Sequence, residues 1–499
     1  MKKYLLLTVT AGEGHNSVTN AIKDKLSENP NNTVKVIDIF KSYGKPGKVA
    51  LINDGYICAC KYALPLYNMV YKSLEKKGPE NKNFNAAQTW IDYETPQLLK
   101  DIYLYEPDVI ICSHFYGGII ITNLRKKYPI PAKVVAVLTD YTVHPYWDAS
   151  TGIDYLITPT DTLHERLIFK GFKPEQLIPS GIPVKKAFEE KMTKLAARKE
   201  LGLEKDIFTV LVMAGGGGFG HIETLFKKLI KVKTKMQIIL VNGRNESSKK
   251  HIDDMSKNIK TPHKIVSLGF VKNIPTLMSA SDCIVSKCGG ITTNEALNRE
   301  RVMILSEKLA QQEYENMLYL TNHNAAIKLD KYNKLETVIE ELVKNPNVLT
   351  KMEKEIKKIS KPNALNDLCK LVDGFPKVNY AETKTLTQKD FIRIRKEIKD
   401  IKLQENAEMK KEKQALKKAE KLAEKNKNLS INLPDIQQKL PIEEKTQNNA
   451  KSISAKKTKN NISVKTAKIL TPTKNEVISK LQENIELTQP KKKSKKSAS

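Results

Sequence analysis

The chain has 499 residues and a net charge of +29, which allows two or three domains and calls for an anionic partner, nucleic acid or a membrane surface. Residues 381–499 hold 30 Lys/Arg against 15 Asp/Glu and the remainder 55 against 41, so the excess is concentrated in the tail without being confined to it. No run approaches the ~18 apolar residues of a membrane span, and the run Leu5–Val9 breaks at a glycine turn, which reads as a first strand and not a signal peptide. Membrane contact is therefore expected to be peripheral, on a cytoplasmic face. The cysteines Cys58, Cys60, Cys112, Cys283, Cys288 and Cys369 are scattered and read as reduced thiols, not a disulfide framework.

Short apolar, β-branched runs alternate with helical spacing along the chain. Strands are predicted at Tyr4–Val9, Val34–Ile39, Val109–Cys112, Lys133–Thr139 and Tyr155–Thr158, with a helix at Asn16–Ser27. The pattern restarts after Pro183: strands at Thr209–Ala214, Gln237–Val241, Lys264–Leu268, Asp282–Ser286 and Val302–Leu305, with helices at Ile222–Lys231 and Thr292–Asn298. Alternation of this kind predicts an α/β chain of two Rossmann-like domains, residues 1–180 and 181–375, with a cleft between them. Phe391, Ile394, Ile398 and Ile401 have the spacing of a basic amphipathic helix. The Lys/Asn/Ser/Thr-rich remainder of 376–499 has no core pattern and is expected to be largely disordered.

Three glycine turns stand between a predicted strand and a helix. In Gly12-Glu13-Gly14-His15 the glycines allow close approach of a ligand and His15 opens the helix, where it could serve as a general base or be an ordinary helix start. The second turn runs Gly215, Gly216, Gly217, Gly218, Phe219, Gly220. It matches G-x-G-x-x-G, but the next strand ends Val241-Asn242-Gly243-Arg244 without an acid. That disfavours NAD, leaves NADP open through Arg244, and suits a diphosphate held on backbone N–H groups. The third contains Gly289, Gly290, Thr292 and Thr293, with Glu295 one turn in. Thr292 and Thr293 could cap the helix or meet phosphate, and Glu295 could accept from two ribose hydroxyls. Gln312, Glu313 and Asn316 follow the next strand with groups suited to sugar hydroxyls.

These motifs, in this order, resemble the processive diacylglycerol glucosyltransferases of bacteria and the monogalactosyldiacylglycerol synthases of plastids, which have the GT-B fold. The resemblance covers about residues 1–330 and rests on Gly12–His15, on Thr139-Asp140 through His144 to Trp147, on Gly181-Ile182-Pro183, on Lys287–Glu295, and on Gln312, Glu313 and Asn316. It implies an N-terminal domain that takes diacylglycerol and a C-terminal domain that takes UDP-glucose or UDP-galactose. It places His15 and Asp140 as catalytic candidates and Gly12, Gly14, His144 and Trp147 on the acceptor side. The Gly215–Gly220 and Gly289–Thr293 turns would face the diphosphate, Glu295 the ribose, and Gln312, Glu313 and Asn316 the sugar and nucleotide. Neither a metal nor a tightly bound cofactor is implied. An anionic membrane would meet the aromatic stretch Tyr141–Trp147 and the 391–401 helix.

The sequence departs from the family at Cys288, where a Pro is usual, at Gln311, where a Gly is usual, and at Arg299–Val302. Which hexose is transferred therefore stays open. Two alternatives stand beside this reading: a related UDP-GlcNAc transferase acting on a lipid-linked acceptor, and a basic nucleic-acid or anionic-surface binding protein on an inactive scaffold. The tail shows no RNA-binding motif, so nucleic acid is not the expected partner.

Overall fold

The computed structural model describes residues 1–10, 14–43, 97–213, 222–305 and 310–380, together with 64, 65, 68, 69, 71, 72 and ten single positions between 387 and 414. Gly12, the run 214–221, the four residues expected to form the apolar stripe at 391–401, and the chain beyond 414 lie outside these.

Two parallel six-stranded sheets form the protein. The first contains β1 (Lys2–Thr8), β2 (Asn32–Asp38), β3 (Val109–Cys112), β4 (Lys133–Val137), β5 (Tyr155–Ile157) and β6 (Leu177–Ile178), in the order β2-β1-β3-β4-β5-β6. The second contains β7 (Thr209–Met213), β8 (Gln237–Val241), β9 (Lys264–Leu268), β10 (Cys283–Ser286), β11 (Val302–Leu305) and β12 (Ala326–Lys328), in the order β12-β11-β10-β7-β8-β9. A strand covered on both faces buries every side chain, so Leu5, Leu6 and Leu7 are all at most 1% exposed and the apolar run is unbroken. This is why the central strands are legible as short apolar runs. β6 and β12 were not expected; at two and three residues they carry no period to read. Helix Gly14–Leu26 begins two residues earlier than expected, and Gly290–Asn298 likewise.

The halves are not packed as separate cores. One apolar cluster runs from Leu6 and Val137 through Tyr141 and Ile182 to Val212 and Ile304. The chain also returns to the first sheet at its end. Helix Ala364–Asp373 lies against helix Gly14–Leu26, and the Lys2 ammonium donates to the carbonyls of Val372 (2.8 Å), Asp373 (2.9 Å) and Phe375 (2.5 Å). A cation there meets the negative end of the helix dipole. Asp108 binds the first sheet to the returning chain, accepting from the N–H of Lys3 and of Val378, both at 2.8 Å. Among the described residues no helix is long and apolar enough to cross a membrane.

The crossing from one sheet to the other turns at Gly181, which has φ +100°; a Cβ there would stand 2.5 Å from Cβ of Lys361 and 3.1 Å from Cβ of Ala364. Gly181→Ala combines a left-handed backbone with overlap against the returning helix, and the change is expected to destabilise the fold by roughly 1–3 kcal/mol. Thermal and urea denaturation will measure it, and an unchanged midpoint would refute the packing described.

Candidate active site

In each sheet the chain first builds strands to one side and then reverses. The reversal falls between β1 and β3 in the first sheet and between β7 and β10 in the second. Ligands bind at such switch points, beyond the carboxyl ends of the strands. Helix Gly14–Leu26 begins at the first of these and helix Gly290–Asn298 at the second.

His15 sits on the first turn behind β1. Its Nδ1 donates to the carbonyl oxygen of Ser113 at 2.7 Å, at the end of β3, with the Thr139 hydroxyl 3.4 Å from the same nitrogen. A nitrogen that donates carries the proton, so the neutral ring keeps its lone pair on Nε2. Burial pushes this imidazole below the ordinary histidine range, partly offset by the Ser113 carbonyl, so it is an unprotonated base at neutral pH. Polar bonds behind it hold the helix start: Thr19 donates to Ser113 Oγ (2.8 Å), Ser113 Oγ to Thr8 (3.2 Å) and Thr8 to Asn16 (3.0 Å).

Facing it, the second sheet offers the start of helix Gly290–Asn298. A Cβ on Gly14 would lie 3.3 Å from Cγ1 of Ile291, so the two helix starts touch. A Cβ on Gly290 would fall 1.9 Å from the Thr139 carbonyl oxygen, whereas one on Gly289 would meet open space. Only glycine fits at position 290. The Asp140 carboxyl accepts from the Gly290 N–H and, at 2.8 Å, from the Asn316 amide; burial raises it to about 6. Asp140 thus lies on the start of helix Gly290–Asn298 and not on His15. Asn316 is wholly buried. It accepts from the Tyr141 N–H at 2.7 Å and donates to the Cys288 carbonyl at 2.9 Å as well as to Asp140. Every polar atom of its amide is therefore committed to the seam between the sheets. Tyr141 completes the seam, stacked on Tyr319 at 4.4 Å with its hydroxyl on Asn294 at 3.1 Å.

Other expected residues take varied positions. Thr293 is buried, its hydroxyl 3.5 Å from the Cys288 sulfur, and Thr292 is half-buried. Glu313 pairs with Lys287 at 2.8 Å and accepts from the Ala310 N–H, which closes the start of its helix. Gln312 is half-buried on the same first turn. Tyr141 and Trp147 are 4% and 3% exposed. The expectation that this aromatic stretch meets a membrane is corrected on that point, because both rings pack into the apolar clusters. His144 caps the turn Pro145–Ser150 through Nδ1 and is stacked on Phe115 at 4.6 Å. Among the described residues no set of three His, Cys, Asp or Glu is arranged to hold a metal. His114 was not anticipated; as a polar residue two positions beyond an apolar strand it gave only the general signal of a strand end.

A histidine at a helix start on one sheet set against a helix N-terminus on the other is the arrangement of a two-sheet α/β fold. Residues 15–184 match the monogalactosyldiacylglycerol (MGDG) synthase family, and residues 209–368 match the glycosyltransferase family 28 C-terminal domain. Among similar proteins, a processive diacylglycerol β-glucosyltransferase of Bacillus licheniformis is 26% identical over 73% of this chain and 92% of its own length. That of Bacillus mycoides is 27% identical over 76% and 95%. Among solved structures, MurG of Acinetobacter baumannii aligns with a TM-score of 0.49 at 13% identity, over 74% of this chain and 99% of that one. The chain belongs to the glycosyltransferases built from an MGDG synthase domain followed by a family 28 C-terminal domain.

The Glu295 carboxyl has no hydrogen-bond partner among the described residues, and burial raises it to about 8 against the opposing effect of Lys185. An unfolded glutamate ionises near pH 4.5, so ionisation opposes folding progressively as pH rises from there to about 8. The thermal midpoint of the ligand-free protein is expected to fall across that window. Glu295→Gln should flatten the slope and stabilise the protein at pH 8 by roughly 1–3 kcal/mol. Calorimetry at pH 5 and pH 8 decides it; parallel midpoints in the two proteins would remove the carboxyl from this account.

Proposed function

We propose that the protein transfers a hexose from UDP-glucose or UDP-galactose to the free hydroxyl of diacylglycerol, with inversion at the anomeric carbon, to make a membrane glycolipid. The observation that carries this is the His15 ring, whose Nδ1 is held by Ser113 so that Nε2 is left as base beside the start of helix Gly290–Asn298. In the step, the acceptor hydroxyl gives its proton to His15 Nε2 and its oxygen attacks the anomeric carbon. The bond from that carbon to the diphosphate breaks, and UDP leaves with the electron pair. The Gly289–Gly290 helix start and the Gly215–Gly220 run stabilise the departing charge with backbone N–H groups. The Gly290 N–H itself donates to the Asp140 carboxyl, so the remaining N–H groups of the first helical turn are the ones offered to the diphosphate. Glu295, lacking a partner, accepts from the ribose, Gln312 and Glu313 address the hexose, and Asp140 sets the acceptor loop on the donor helix. The acceptor is supported by the relatives, which are named diacylglycerol β-glucosyltransferases. The basic tail supplies attraction to an anionic bilayer, about 1 kcal/mol for each lysine near the surface.

Purified protein supplied with diacylglycerol in anionic micelles and labelled UDP-glucose or UDP-galactose should label a glycolipid with one donor. His15→Ala should lower the transfer rate roughly 100- to 10,000-fold with donor binding retained. A variant at the full rate would move the base elsewhere. No label with either donor would overturn the reading. Removal of residues 381–499 should weaken binding to anionic vesicles in flotation assays; unchanged binding would leave the tail no membrane role.

A further inference from the structure

His114 stands two residues beyond β3 and has no part in the transfer as derived above. Its ring is 5% exposed. Nδ1 accepts the N–H of Tyr116 at 3.2 Å and so caps helix Phe115–Arg125. A ring nitrogen that accepts carries no proton, so neutral His114 is the Nε2–H tautomer, opposite to His15. The ring stands edge-on to His15, with centroids 4.5 Å apart and planes at 76°. Phe115 packs beside His114 at 4.0 Å and lies nearly parallel to His144. His114 cannot turn without uncapping a helix and disturbing these contacts.

Consecutive residues therefore hold two sides of His15: the Ser113 carbonyl takes Nδ1–H, and the His114 ring closes the neighbouring space. A histidine base is commonly oriented by a carboxylate. Among the described residues no carboxylate bonds to His15, His114 or His144. We propose that His114 is a positioning residue for His15, fixing the plane of its ring so that Nε2, and not Nδ1, meets the acceptor hydroxyl. This rests on the reading of His15 as the base.

The surroundings agree in charge. The groups around His15 are the Thr139 hydroxyl, the Ser113 carbonyl and the His114 ring, with His144 nearby. Burial lowers all three histidines, His144 to about 3, where Lys170 adds to the effect. Lys170 itself is paired with Asp148 at 2.5 Å. The cluster thus stays uncharged until a proton arrives from the acceptor.

The test uses the full chain and His114→Asn, whose side-chain oxygen can still cap the helix. The expected result is a kcat lowered about tenfold or more, a donor KM changed less than about twofold, and an acid limb of the pH–rate profile moved to higher pH. The sign follows from water: a ring released from burial titrates closer to its ordinary value. Nitrogen-15 NMR of the histidine rings gives a readout independent of turnover. Wild-type His15 should be the Nδ1–H tautomer and His114 the Nε2–H tautomer, and His15 should become a mixture in the variant. An unchanged profile with an unchanged His15 tautomer in His114→Asn overturns the proposal. If the variant does not fold, the wild-type spectrum decides, and any other pair of tautomers overturns it. Absence of transfer by the wild type would refute the proposed function, while the tautomers would still decide whether His114 orients His15.

Discussion

The Asn316 amide has two donor hydrogens and an acceptor oxygen, and the fold uses all of them where the sheets meet. The oxygen takes the Tyr141 N–H from the first sheet; the nitrogen gives one hydrogen to Asp140 of that sheet and the other to the Cys288 carbonyl of its own. A buried amide left unpaired costs about 1–3 kcal/mol for each group, so the site tolerates one arrangement of the loop after β4 against the helix after β10. Gly290 makes that arrangement possible, since any Cβ would overlap the Thr139 carbonyl. The position of the Gly290 helix, and hence of its first N–H groups relative to His15, follows from this contact.

Around the three clustered histidines the governing factor is desolvation. His15, His114 and His144 are all pushed toward the neutral form by burial. Their orientation comes from neutral partners, a backbone carbonyl for one and backbone N–H caps for the other two. A base of this kind is available at neutral pH without a carboxylate to raise its affinity for protons. Glu295 shows the converse: burial makes its carboxyl costly to ionise, and Lys185 offsets only part of that.

Much of the fold was legible because its strands are short and covered on both faces. Leu5-Leu6-Leu7 and Ile110-Ile111 form unbroken apolar runs for that reason, and the glycine turns mark where strands end. β6 and β12 were not legible because they are too short to show a period. Several side chains were legible as polar or aromatic but not in direction. Asn316 has the same donors and acceptor whether it meets a sugar hydroxyl or a backbone carbonyl. Tyr141 and Trp147 stand beside polar residues and prolines, with no sequence signal for the side on which they pack. His114 reads as an ordinary strand end until β1 and β3 are known to be neighbours.

By itself the sequence determined the local elements: parallel strands from apolar runs and a histidine at a helix start. These depend on residues close in the chain, whose preferences are set by backbone sterics and side-chain pattern. The tertiary structure alone decided strand order, and with it that His15 lies against Ser113, 98 positions away, and that Asp140 lies on Gly290. Those contacts join segments far apart in sequence, and the free energy that selects them comes from the burial and pairing of both partners together, which neither segment encodes alone.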